Sequence, residues 1–175
     1  MIRVMQEKRD NFHRELNGLI VKHYPADVAA VIDSFARRYH RSRPVDELVS
    51  NDINDIYGAT VACWNFLQEH DYEKPKVRIF NPDYEQHGWQ STHTIIEIIH
   101  KDMPFLLDSV RLEVNRRALT IHAIQSAVFQ IQRDDRHQLK TLQPEDYCGE
   151  DGSVAEAVIY LEVDRQSGPK AFKEL

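Results

Sequence analysis

Two carboxylates bracket a proline in the run HKDMPFLLDSVRLEVNRR, residues 100–117. Asp102, Met103, Pro104, Phe105, Leu106, Leu107 and Asp108 join a strand-like stretch to a helix-like one. Backbone N–H groups exposed at such a junction can hold the carboxylate of a small ligand, with an aspartate meeting its amine. The same residues also read as plain capping. Asp102 is placed to cap a helix beginning near Met103, and Pro104 suits the first turn because it lacks an N–H that would need a partner. Asp108 lies too far in to cap but close enough to the positive end of the helix to be tolerated there. Both readings stay open on these residues.

Other chemistry is sparse. Nine histidines are present, with His87 and His93 flanking one loop and His100 and His122 at strand ends that could be neighbours. A zinc site needs three or four convergent ligands at typical close spacings, and no such set is visible. That weighs against a metal or acid–base enzyme built on Asp102, Asp108 and nearby histidines. The six glycines form neither a G-x-G-x-x-G turn nor a Walker loop, and there is no G-x-S-x-G or H-E-x-x-H. No catalytic residue, metal or cofactor is therefore expected in this chain. Trp89, in the loop Gly88-Trp89-Gln90-Ser91, reads either as an exposed interface anchor or as a side chain folded back over the core.

A formal net charge of -6 disfavours a nucleic-acid surface. The local exception, Arg37, Arg38, Arg41 and Arg43, reads as a solvated helix end. The two cysteines, Cys63 and Cys148, make no disulfide framework, so the chain reads as cytoplasmic. Charge interrupts the N-terminus too early for a signal peptide, and no apolar run approaches a membrane span.

The elements that must hold these residues fall into two parts. Over residues 1–73 the apolar positions recur every three to four residues: Val4, Met5, Phe12, Leu16, Leu19 and Ile20; then Val28, Val31, Ile32, Phe35 and Tyr39; then Ile53, Ile56, Tyr57, Thr60, Val61, Trp64 and Leu67. Pro25 and Pro44 separate these helices, residues 44–50 suit a short helical turn, and Ser50-Asn51-Asp52 offers a cap for the last helix. From residue 74 the period changes to two. Strands are expected at 77–80, 94–99, 120–132 and 157–163, with a helix after residue 102 and a polar loop over 133–153. Residues 77–80 and 94–99 are consecutive and should pair. Ser167-Gly168-Pro169 starts a further helix that is cut off at Leu175. From residue 93 this order is most of a βαββαβ ferredoxin-like unit, and the chain reads as an N-terminal piece of something larger. The fold class is α+β: a helical segment, then an antiparallel ferredoxin-like module over residues 74–175 that stops before its last strand.

Here the run HTIIEIIHKDMPFLLDSVRLEVNRRALTIHAI, preceded by IYGATVACWNFLQ and KVRIFNPDYEQHGWQS, resembles the N-terminal region of the large class of bacterial NAD-specific glutamate dehydrogenases. The resemblance is close over residues 50–130 and weaker toward both ends. It implies an ACT-type module, the ferredoxin-like fold used for amino-acid regulation. It also implies a parent enzyme that converts L-glutamate, NAD and water to 2-oxoglutarate, ammonia and NADH. Catalytic and NAD-binding residues of such enzymes lie far downstream, so none is carried onto this chain, and the chain alone should be inactive. The 102–108 run falls where amino-acid-binding ACT modules carry a D-x-P-G-L-type loop, but Phe105 stands in place of the glycine. A glycine lets a ligand approach the backbone, whereas a phenylalanine fills that space. The loop is thus a candidate for a subunit contact, with Phe105 packing inward or against a partner, as well as for an effector. The expected role is a noncatalytic regulatory or assembly module, its partners the downstream domains, further copies of the chain and an amino-acid effector. A stand-alone amino-acid sensor is the alternative.

Overall fold

The computed structural model describes residues 2–149 and 152–168. Four helices come first: α1 (Ile2–His23), α2 (Ala26–Tyr39), α3 (Val45–Ser50) and α4 (Ile53–Leu67). Pro25 and Pro44 each sit immediately before a helix, where their fixed φ of -56° leads into it and no N–H is lost. Asp52 caps α4 by accepting from the Asn54 N–H. The buried stripes run through Phe12, Leu16 and Ile20, then Ile32, Phe35 and Tyr39, then Ile56, Trp64 and Leu67. Val4 and Met5, the first members of the stripe expected in α1, are exposed because the first turns of that helix run past the core.

A five-stranded sheet follows, with strands β1 (Lys76–Phe80), β2 (Thr94–Lys101), β3 (Ile121–Arg133), β4 (Leu139–Leu142) and β5 (Val154–Val163). Their spatial order is β1-β2-β5-β3-β4, with every neighbouring pair antiparallel. The expected pairing of residues 77–80 with 94–99 is present, Val77 lying opposite Ile98 and Phe80 opposite Ile95. Among the described residues two short helices complete the fold, α5 (Tyr84–His87) before β2 and α6 (Leu106–Arg116) after it.

Period-two alternation on β5 divides the molecule into layers. Val158 and Tyr160 join Ile95, Ile99, Phe129 and Ile131 in one core with the helices α1 to α4. Ile159, Leu161 and Val163 face the other way, against Val114, Leu106, Leu107 and Val110 of α6. The sheet is therefore covered by helices on both faces, and the architecture is α+β.

Two local expectations are corrected. Residues 133–153 are not all loop, since β4 returns alongside β3. Its turn is held by the Asp134 carboxylate, which accepts from the N–H groups of Arg136 and Gln138. Four residues among polar neighbours are too few to show an alternation. The loop before β2 contains one helical turn, α5, capped by Asp83 and ended by Gly88 at φ 73°. The helix expected from Pro169 onward lies outside the described residues.

Candidate functional site

The 102–108 run does not fold as its sequence suggests. Asp102 donates its backbone N–H to the Ala155 carbonyl at 2.7 Å, carrying the β2–β5 ladder one residue past the strand. The chain then turns, and α6 begins at Leu106 rather than near Met103. The residue preceding it is Phe105, in the left-handed region at φ 63° and with no side-chain cap. Asp102 is four residues upstream of the first helical residue, so the expected cap is not made. Phe105 does not pack inward within the chain: it is 77% exposed, and Met103 is half-exposed beside it. Leu106 and Leu107 reach the core under α6, while Asp102, Pro104 and Asp108 stay on the surface. Asp108 stands in the first turn of α6, where the helix dipole favours an acid.

On the opposite face of the sheet a cavity of about 330 Å³ lies between strands and helices. Tyr160 and Glu162 of β5 and Gln125 of β3 line it, together with Tyr39, His40, Arg43, the α4 residues Asp55, Ile56 and Ala59, and the 89–93 loop. Of the two readings of Trp89 the structure selects the folded-back one, with the side chain only 2% exposed. Asp55 holds this loop by accepting from the Gln90 N–H at 3.0 Å.

Glu162 gathers three partners. Arg43 donates to it at 3.2 Å, Tyr160 donates its hydroxyl at 3.0 Å, and His93 lies at 3.2 Å. His93 also stacks on His122 with ring centroids 4.2 Å apart, and His122 bonds Asp164 at 2.7 Å. His100 stands at the other end of β2, so the pairing of His100 with His122 left open by sequence is replaced by His93 with His122. Among the described residues no group of three or more His, Cys, Asp or Glu side chains is arranged to hold a metal.

His40 is buried and bonds Thr60 Oγ1 through Nε2 at 2.8 Å. The Thr60 hydroxyl donates to the Ile56 carbonyl, so His40 Nε2 carries the proton and Nδ1 is left as an acceptor. Burial, with the nearby Arg43 charge, lowers the His40 pKa to about 3 and keeps the ring neutral. Among the described residues, five buried polar atoms on residues that line the cavity have no hydrogen-bond partner: the Tyr39 hydroxyl, His40 Nδ1, Arg43 Nε, Trp89 Nε1 and Gln125 Oε1. Glu47 approaches Arg43 Nε only to 3.6 Å, beyond hydrogen-bond range.

The arginine run is a solvated helix end only in part: Arg37, in the last turn of α2, is exposed and pairs with Asp33. Arg43 is buried, and Arg38 donates to the carbonyls of Gln143 and Val128 with its guanidinium 4.5 Å above the Phe129 ring. Arg41 is exposed and pairs with Glu145. The available signal for the cavity was an acid, Glu162, inside the otherwise apolar strand VAEAVIYLEV, which carries a second acid, Glu156, away from the cavity. Glu156 is fully buried between His70 at 2.7 Å and Arg133 at 2.7 and 2.9 Å. Burial pushes its carboxyl up, but these two partners bring it below the usual range. Glu97, buried on β2 against Arg78, is raised because burial outweighs that arginine.

The chain can be placed among known proteins. It is 44% identical over 177 residues to the NAD-specific glutamate dehydrogenase of Halomonas elongata, an alignment covering 100% of this chain and 11% of that protein. It is 39% identical over 155 residues to the NAD-specific glutamate dehydrogenase of Pseudomonas aeruginosa, covering 89% of this chain and 10% of the relative. The chain thus spans a small part of the relatives it matches. No solved structure matches it. Residues 35–175, which run from within α2 through the whole sheet, match the ACT1 domain of glutamate dehydrogenase, and the chain belongs to that family.

Proposed function

We propose that this chain serves as a noncatalytic, N-terminal regulatory and assembly module of a large NAD-dependent glutamate dehydrogenase. The observation that carries the reading is the match of residues 35–175 to the ACT1 domain in a chain that spans only 11% and 10% of its relatives. In this reading the parent enzyme oxidatively deaminates L-glutamate with NAD, and this region contacts the downstream domains and other copies of the chain. The sequence supports a noncatalytic role, since its six glycines form no phosphate-binding turn. The strand order supports the finer fold assignment. β2, α6, β3 and β5 come in that order in the chain, with the short β4 inserted between the last two, and lie as β2-β5-β3, as the first three strands of a ferredoxin-like unit would, with β1 at the edge beside β2.

The test compares a full-length parent enzyme with a version lacking this region. Light scattering should show altered assembly, or steady-state assays altered dependence on effectors, while the isolated chain should neither form NADH from glutamate nor bind NAD in a fluorescence titration. Unchanged assembly and kinetics after deletion, or saturable NAD binding by the isolated chain at micromolar concentrations, would overturn the reading.

A further inference from the structure

One buried histidine faces, on both of its ring nitrogens, groups that accept hydrogen bonds. His70 lies just past the end of α4 and is 2% exposed. Its Nδ1 is 2.7 Å from Glu156 Oε2, and its Nε2 is 2.8 Å from the Lys74 carbonyl oxygen. A neutral imidazole has a single N–H and donates once. Donation from both nitrogens requires the imidazolium.

The alternative places the proton on Glu156, whose carboxyl O–H would then donate to Nδ1. The surroundings oppose it. Arg133 donates to both oxygens of the same carboxylate, at 2.7 Å to Oε1 and 2.9 Å to Oε2. A guanidinium held at two points favours the ionised form. Burial pushes the Glu156 carboxyl up, but the hydrogen bonds from His70 and Arg133 bring it below the usual range. The ionised carboxylate leaves the second proton to the ring.

The charges that meet at this corner come from several elements. Glu156 stands on β5, Arg133 on β3 and Lys76 on β1, while Glu69, Asp71 and Lys74 belong to the segment joining α4 to β1. Three acids and three bases balance, so a protonated His70 adds one cation. The end of α4 is suited to hold it, because a helix C-terminus carries partial negative charge. The carbonyls of Phe66 and Glu69 accept from Lys76 and those of Leu67 and Gln68 from Arg133, so cations already gather there.

The same corner fastens the helical part to the sheet. The His70 N–H donates to the His137 carbonyl in the turn after β3, and the Leu139 N–H donates to the Gln68 carbonyl. Without its second proton the ring would set the Nδ1 lone pair against a buried carboxylate oxygen, and that oxygen would lose a charged donor. His70 also lines a surface hollow with Glu69, Asp71, Lys74 and Lys76, which gives the proton a route to solvent.

We propose that His70 is a proton-dependent clamp: an imidazolium in the folded chain at neutral pH, it bridges Glu156 of β5 and the Lys74 carbonyl, and loss of its Nδ1 proton loosens the joint between α4 and the sheet. A free histidine is half-protonated near about pH 6.5. Below that pH the ring is charged whether the chain is folded or not, and the clamp contributes in full. As pH rises above it, the unfolded chain releases a proton that the folded chain keeps, so the contribution shrinks with rising pH. This sign is opposite to that of a histidine buried neutral. The clamp does not rest on the function proposed above.

Heteronuclear NMR of the nitrogen-15-labelled chain tests it at about pH 7.5, where about nine-tenths of free rings are neutral. Both ring nitrogens of His70 should show the chemical shift of a nitrogen that bears a proton. In Glu156→Gln one of them should revert to the shift of an unprotonated nitrogen. Between about pH 7 and 8 the urea midpoint should fall more steeply in the unaltered chain than in His70→Gln. An unprotonated ring nitrogen on His70 in the folded, unaltered chain at that pH would overturn the proposal, and this measurement stands even if neither variant folds. So would a Glu156→Gln ring that keeps both protons, or a midpoint slope that His70→Gln leaves unchanged. None of these outcomes bears on the deletion test of the regulatory and assembly role, which stands or falls separately.

Discussion

Trp89 packs on the bare backbone of Gly58: a Cβ placed on Gly58 would lie 2.5 Å from the Trp89 Cβ and 2.7 Å from its Cγ. This contact lets a tryptophan from a polar loop fold against α4 and wall the cavity. In an ordinary helix, replacing glycine by alanine gains about 0.5–1 kcal/mol. Here the sign should reverse. Gly58→Ala should cost about 1–3 kcal/mol through overpacking, read as a lowered denaturation midpoint together with a red-shifted tryptophan emission.

Asp52 and Asp102 each precede a helix, but only the former caps one. Asp52→Ala should cost about 0.5–2 kcal/mol, the usual price of an N-cap. Asp102→Ala should stay within about 0.5 kcal/mol of the parent, as for an exposed side chain away from any such feature. Urea denaturation of the two variants side by side decides it; an equal loss at Asp102 would mean that its carboxylate has a partner.

Phe105 holds a left-handed conformation at φ 63° while most of its ring is in solvent. L-residues pay about 1–2 kcal/mol for that conformation, and glycine does not. Phe105→Gly should therefore leave the monomer as stable as before or up to about 1 kcal/mol more so, after the glycine's extra chain entropy is allowed for. The midpoint of thermal unfolding checks this, and the molar mass from light scattering shows whether the exposed ring joins copies of the chain.

Histidine burial sets the acid limb of stability. Burial lowers His40 to about 3, and burial with Arg37 and Arg9 lowers His13 to about 4, against 6.5 for a free ring. Above pH 6.5 both rings are neutral whether the chain is folded or not, and they add no pH dependence. Below it the unfolded chain takes up protons that the folded chain refuses, so stability falls as pH falls, until the folded rings titrate near 4 and 3. The loss is about 1.4 kcal/mol per pH unit for each ring, or up to about 2 kcal/mol each at pH 5. Denaturation curves from pH 7 to 5 should show this slope, and His40→Gln should roughly halve it. A slope unchanged in His40→Gln would mean that the ring is charged when folded.

Much of this architecture is legible in local sequence. The helices of the first part announce themselves by three-to-four spacing bounded by Pro25 and Pro44, and β2 and β5 by their β-branched runs. Such signals are set by neighbours in the chain. Side-chain partnerships are not legible where the partners are remote. Arg43 and Glu162 meet across 119 residues, and no local pattern distinguishes that arginine from the exposed Arg41 two positions earlier. The junction at 102–108 fails for a different reason. Asp-x-Pro has the composition of a cap, but the Asp102 N–H is drawn into the ladder with Ala155, a partner more than fifty residues away, and this delays the helix to Leu106.

The shared core of helices and sheet has a consequence for how the chain is made. Arg38 of α2 is tied to the Gln143 carbonyl 105 residues later, and Phe35 stacks on Phe129 of β3 with ring centroids 5.1 Å apart. During synthesis the four helices leave the ribosome first, and their apolar faces have no sheet to rest on until β3 and β5 have followed. Local spacing lets those helices form early, but distant contacts must lock them, which makes docking of the sheet the slow step. Over that interval Phe35 can meet Trp64 of α4 but has no Phe129 to stack on, so the helical half keeps its sheet-facing surface uncovered until the strands arrive.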